Sequence, residues 1–191
     1  MVARTSGRCD IALVHAERGA RLAPASLARA QLHAWALLPV LARLQRADEA
    51  DQALRTALTE LEADPSGTAP GRFGFDEPEL ALHQAEAHLA LGRHQQARVR
   101  AEVSAASCPD GTGGWTAATL VLAQAEAVDS PQDAAQRALH VLDRIPAARL
   151  RSTARTRLNK LARVLPDGPG AELTERLRTL PTAIDHHGHA I

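Results

Sequence analysis

The sequence predicts an all-α chain in which antiparallel helix pairs stack as a right-handed α-solenoid. Three observations carry that expectation. Apolar residues make up 45% of the 191 residues, yet they include only two Trp, two Phe and no Tyr, so the core has to be built from Ala, Leu and Val. Ala and Leu favour helices, and the residues that favour strands are scarce. Leu and Ala also recur at i, i+3, i+4 spacing through long stretches, the period of a helix with one buried stripe. Finally, Pro24, Pro65, Pro109 and Pro146 each follow an alanine by twelve residues: Ala12, Ala53, Ala97 and Ala134.

The clearest repeat runs from Pro78 to Pro109, PELALHQAEAHLALGRHQQARVRAEVSAASCP. Ala85, His88, Ala97, Ala101 and Pro109 fall on the packing positions and closing proline of the tetratricopeptide pattern. Leu91-Gly92 falls at the turn between the paired helices. Ala97 falls where they cross, and only a small side chain lets them approach.

Laid along the chain, that frame gives a half pair at 8–23 and pairs at about 25–65, 76–109 and 115–146, followed by capping helices over 148–180. The half pair is a helix from Cys9 to Leu22. The next helix, Ala25 to Arg46, carries Leu27, Leu32, Trp35, Leu38, Leu41 and Leu44 on or near one stripe, and Pro39 predicts a kink or a break within it. Asp48 to Ala63 follows, with Ala50, Ala53, Leu54, Ala57, Leu58 and Leu61 at i, i+3, i+4 spacing. Residues 65–75, PSGTAPGRFGF, read as the longest loop. Asp76 has the setting of an N-cap, with Pro78 and Glu79 behind it, and opens a pair at 76–91 and 94–107. The Gly-rich turn Asp110–Gly114 leads to helices near 115–128 and 131–145, the second opened by Ser130-Pro131. A helix over 148–165 buries Leu150, Ala154, Leu158, Leu161 and Leu165. Pro166 to Gly170 stops it, and a shorter helix near 171–180 caps the array. The tail, 181–191, is expected to be disordered.

GRFGFDEPELALHQAEAHLALGR, the helix pair ending at Arg144-Ile145-Pro146, and RSTARTRLNKLARVLP together resemble the C-terminal tetratricopeptide region of XRE-type helix-turn-helix transcriptional regulators of high-GC bacteria. The likeness covers most of residues 8–180. It implies an array that senses a peptide or small molecule or mediates dimerisation. The DNA-binding domain of those regulators has no counterpart among these residues, so DNA binding is not carried over.

Charge and motifs narrow the function further. The 22 basic and 22 acidic residues balance, which removes any global electrostatic case for nucleic acid. Only Lys160 among the basic residues is lysine, which reads as the codon bias of a high-GC genome. Cys9 and Cys108 stand without metal-ligand spacing and read as free thiols. No apolar run is long enough for a membrane span, and Asp10, His15 and Glu17 interrupt any signal-peptide stretch after Arg4 and Arg8. The expected location is cytoplasmic. Gly111, Gly113 and Gly114 follow no strand and lack the lysine of a phosphate loop. No nucleophile motif occurs, so neither enzymatic activity nor a cofactor is expected.

Two candidate binding surfaces remain. The concave face of such an array is lined by the first helix of each pair, which places Trp35, Leu38, Arg46, Glu79, Leu82, Glu86, Thr116, Thr119 and Glu126 in a groove for a protein or peptide. The plain alternative for Trp35 is a core position. Between 147 and 166 the chain carries Arg149, Arg151, Arg155, Arg157, Lys160 and Arg163 and no acidic residue. That face is either solvated or meets an anionic partner, whether an acidic peptide, another subunit or nucleic acid held by phosphate contacts alone. His186, His187 and His189 read as a weak, adventitious metal-binding tract, and His88 as a core histidine. A peptide-binding scaffold is the first reading. A stand-alone DNA- or anion-binding regulator acting through the Arg-rich helix 148–165 is the second.

Overall fold

A computed structural model describes residues 8–63 and 75–181. Its described residues are helical with no strand, so the chain is all-α. The helices are α1 (Cys9–Leu22), α2 (Ser26–Leu32), α3 (Leu38–Arg43), α4 (Ala47–Ala63), α5 (Glu77–Ala90), α6 (His94–Ser107), α7 (Gly113–Glu126), α8 (Pro131–Arg144), α9 (Ser152–Val164) and α10 (Asp167–Thr179). The chain divides into two compact units, Met1–Ser104 and Ala105–Ile191.

In the first unit, α2 and α3 are joined by a wide turn of π-helix over His33–Leu37, closed by the bond from Leu38 N–H to the His33 carbonyl. The cause is Pro39. It has no N–H to donate back along the helix and its ring crowds the preceding turn, so the ladder widens there instead of breaking. The expected irregularity thus takes the form of one inserted turn. Helix α2 packs on α4, and α3 packs on both α4 and α5. The contact surface is mostly alanine: Ala30, Ala34, Ala42, Ala50 and Ala57 are fully buried. Gln45 adopts a left-handed φ of 59° in the turn after α3, and its side-chain amide donates to the Ala90 carbonyl at 2.8 Å, tying that turn to the end of α5.

Asp76 caps α5 as its setting predicts, its carboxylate accepting from Glu79 N–H at 3.0 Å. The same helix closes on Gly92, whose φ of 73° strains any residue with a Cβ. Arg93 N–H donates to the His88 carbonyl and Gly92 N–H to that of Leu89, the paired bonds of a Schellman ending. Of the alanines that set the repeat frame, Ala53, Ala97 and Ala134 are buried, while Ala12 is half-buried.

In the second unit α7 packs on α8 and α9, and α10 packs on α8 and α9. Leu120, Ala134, Ala138, Val141, Leu158, Leu161 and Leu173 form its centre. Three details differ from the sequence expectation. Helix α7 starts two residues early, at Gly113, because Thr112 caps it: its hydroxyl accepts from Trp115 N–H at 3.3 Å and donates to the Pro109 carbonyl at 2.7 Å. Residues 147–151 are not α-helical. Ala147–Arg149 makes a 3₁₀ turn, and α9 begins only at Ser152. Residues 167–170 are not a break but the first turn of α10, where Pro169 has no intrahelical bond to lose. Ser130 stands at the N-cap of α8 without a side-chain capping bond. Most of the expected 65–75 loop, and the tail from 182 onward with its three histidines, lie outside the described residues.

Candidate functional site

The residues expected in one groove fall into three environments. Leu38 is 2% exposed and belongs to the core of the first unit. Thr116, Thr119 and Glu126 are buried as well. The reason is the character of α7: Leu120, Val121, Leu122 and Ala123 follow one another, so the helix is apolar on nearly every side and buried on nearly every side. Its polar side chains are spent internally. Thr116 donates its hydroxyl to the Thr112 carbonyl at 2.7 Å. Glu126 accepts from Arg137 Nε at 2.6 Å and Nη2 at 3.1 Å, a two-pronged pair from α8. These four residues are therefore corrected from groove to interior. Arg46 is exposed and pairs with Glu49 one turn away.

Trp35, Glu79, Leu82 and Glu86 remain half-buried in the first unit. The Trp35 ring meets Phe75 edge-on at 5.8 Å and lies 6.3 Å from His83. His83 Nδ1 is 3.5 Å from a Glu86 oxygen. Burial pushes the Glu79 carboxyl above its usual range. Trp35 thus joins the core while leaving part of its ring exposed. His88, on the same helix, is a half-buried histidine whose pKa burial lowers, as suits a packing position.

The Arg-rich segment is resolved residue by residue. Arg155 turns inward and fastens the local backbone, donating to the carbonyls of Ala147 at 3.0 Å, Leu150 at 3.4 Å and Pro181 at 2.8 Å. It is corrected from an anion contact to a structural clamp. Arg149, Arg151 and Arg157 line one cavity of about 310 Å³ with Thr116, Thr153 and an apolar floor that includes Ile145, Leu150 and Ala154. Arg157 is half-buried and donates to the Ala117 carbonyl at 3.2 Å, while Gln124 of α7 donates to the Arg157 carbonyl at 3.4 Å.

Arg151 lies over the start of α7. A Cβ placed on Gly113 would stand 3.4 Å from its guanidinium carbon, an ordinary van der Waals distance. No acidic residue lines the cavity. Elsewhere in the unit, Arg137, Arg144 and Arg176 pair with Glu126, Asp110 and Asp143.

Sequence reasoning found the arginines but missed Gly111, Gly113, Ala117, Ile145, Leu150 and Thr153 as their companions. The available signal was Thr112-Gly113-Gly114, a capping residue followed by two positions without side chains.

Neither Cys9 nor Cys108 is in a disulfide. Among the described residues no group of His, Cys, Asp and Glu is placed to hold a metal ion, and no helix is long and apolar enough to cross a membrane. Comparison with protein-family models, with curated proteins and with solved structures finds no match.

Proposed function

We propose that this chain is a binding module and not an enzyme, and that its C-terminal unit receives an anionic group. The observation that carries this reading is the cavity lined by Arg149, Arg151 and Arg157 and by no acidic residue. Guanidinium groups offer planar, paired donors that match carboxylate and phosphate oxygens. The burial of Leu38, Thr116, Thr119 and Glu126 favours this pocket over an extended peptide groove.

The antiparallel helix pairs, the Gly92 turn and the buried frame alanines support a tetratricopeptide-like solenoid arrangement. On that reading the chain corresponds to the sensing part of a helix-turn-helix regulator. Its anion would be the sensed ligand or a group on a protein partner. Arg155 is consumed by backbone carbonyls and the other three arginines line one cavity, an arrangement better suited to a single small anion than to the phosphates along a duplex.

Titration calorimetry with inorganic phosphate and with an acidic peptide tests this. Arg149→Ala with Arg151→Ala should weaken binding by about tenfold for each guanidinium removed. Binding that is unchanged in the double variant would sink the assignment.

A further inference from the structure

Helix α4 is held within the first unit by two ion pairs from other elements. Toward its end, Glu60 accepts from Arg29 Nε of α2 at 2.8 Å. Toward its start, Asp51 accepts from Arg93, which follows α5, at 2.6 Å and 3.0 Å. A half-buried histidine faces each pair: His33, at the start of the π turn, faces Glu60, and His88 of α5 faces Asp51. The Nδ1 atom of each ring is buried and meets no hydrogen-bond partner among the described residues. We propose that these two histidines make the first unit a mild-acid switch: their protonation loosens α4 from α2 and α5 while the second unit stays folded.

The surroundings of each ring set the direction. Burial disfavours the charged form of both and holds their pKa values below the usual imidazole value of about 6.5. The π turn packs on α1, α2, α3, α4 and α5, and Glu60 is the charged group among them that acts on His33. That carboxylate is already engaged by Arg29. Around His88, Arg93 and Arg100 oppose protonation and Asp51 favours it, but Asp51 is already bound by Arg93 on two oxygens. An imidazolium donates from both ring nitrogens, so protonation also gives each buried Nδ1 a proton with no acceptor. His83 is set differently, with a Glu86 oxygen 3.5 Å from its Nδ1. The histidine among the described residues of the second unit, His140, is exposed. Because the unfolded chain takes up these protons near pH 6.5 and the folded unit resists them, stability is complete above that pH and is lost as pH falls below it.

The two tryptophans read the two units separately. Trp35 packs against the cluster that includes Ala57 of α4, and Trp115 lies in the core of the second unit. The test is urea unfolding of the full chain between pH 7 and pH 5, followed by fluorescence. In Trp115→Phe, which leaves Trp35, the unfolding constant should rise by about tenfold or more over that range. In Trp35→Phe, which leaves Trp115, it should change less than about twofold. Adding His33→Gln and His88→Gln to Trp115→Phe should bring the rise below about twofold as well. In the unsubstituted chain, the imidazole proton resonances of His33 and His88 should titrate at lower pH than those of the exposed His15 and His140.

Equal pH dependence at both tryptophans would overturn the proposal, and so would a rise at Trp35 that survives in the histidine double variant. Should that variant fail to fold, the resonances decide: His33 and His88 titrating together with His15 and His140 would overturn it.

Discussion

Removing the guanidinium of Arg137 should destabilise the C-terminal unit out of proportion to its half-exposed position. Its partner, Glu126, has a side chain only 2% exposed, while that of Arg137 is 40% exposed. Arg137→Met keeps the aliphatic stem but takes both donors, at 2.6 Å and 3.1 Å, away from a carboxylate held out of water. Breaking a fully buried pair costs about 3–5 kcal/mol. Water already screens the arginine end of this one, which lowers the expectation to about 2–3 kcal/mol. With a urea m-value of about 2 kcal/mol/M, the midpoint should fall by roughly 1–1.5 M at unchanged m. The double variant Glu126→Leu with Arg137→Met should recover to within about 1 kcal/mol of the parent, since no charge is then left stranded. A single-variant midpoint shift under about 0.3 M, or a double variant no better than the single, would refute the claim that Glu126 is an interior residue held by Arg137.

Three further outcomes are expected. Asp51 is bonded by Arg93 at 2.6 Å and 3.0 Å, and that pairing holds its carboxyl below the usual range. The contribution to stability is therefore present above the ordinary carboxylate pKa and is lost as pH falls through the lowered value. Asp51→Asn should cost up to about 1 kcal/mol at neutral pH and shrink the acid-side loss in a pH series of urea melts. Glu79 has the opposite sign: burial raises its pKa, so ionising it opposes folding once pH passes the raised value. Glu79→Gln should stabilise at neutral pH and make no difference well below the ordinary carboxylate pKa, and a loss of stability at neutral pH would contradict this. Ala134 is fully buried in the α7–α8 core, so Ala134→Leu should overpack it and lower stability by about 1–3 kcal/mol in the same assay.

Much of the helical layout is legible in the sequence because local chemistry decides it. Asp76 caps the helix that it precedes, Gly92 supplies the left-handed residue of a turn, and Pro39 forces a widened turn. Alanine spacing marked close-packed positions because only a small side chain fits there, and Ala53, Ala97 and Ala134 are buried accordingly. The candidate site was legible only in part. A repeat frame assigns faces as if every first helix had one open side, and α7 is apolar on nearly all sides, so its threonines and Glu126 turn inward. A run of arginines does not say which of them are spent on backbone. Arg155 and Arg157 differ by two positions, yet one clamps Ala147, Leu150 and Pro181 while the other faces the cavity. The companions Gly113, Ile145 and Thr153 come from separate stretches that only the fold of the unit brings together.

The most direct test of the anion pocket is a two-dimensional amide NMR titration with inorganic phosphate. The reading predicts saturable shifts at Gly111, Gly113, Thr116, Ala117 and the amides from Arg149 to Arg157, lost in the Arg149→Ala, Arg151→Ala double variant. Shifts scattered over both units, or none at these residues, would contradict it.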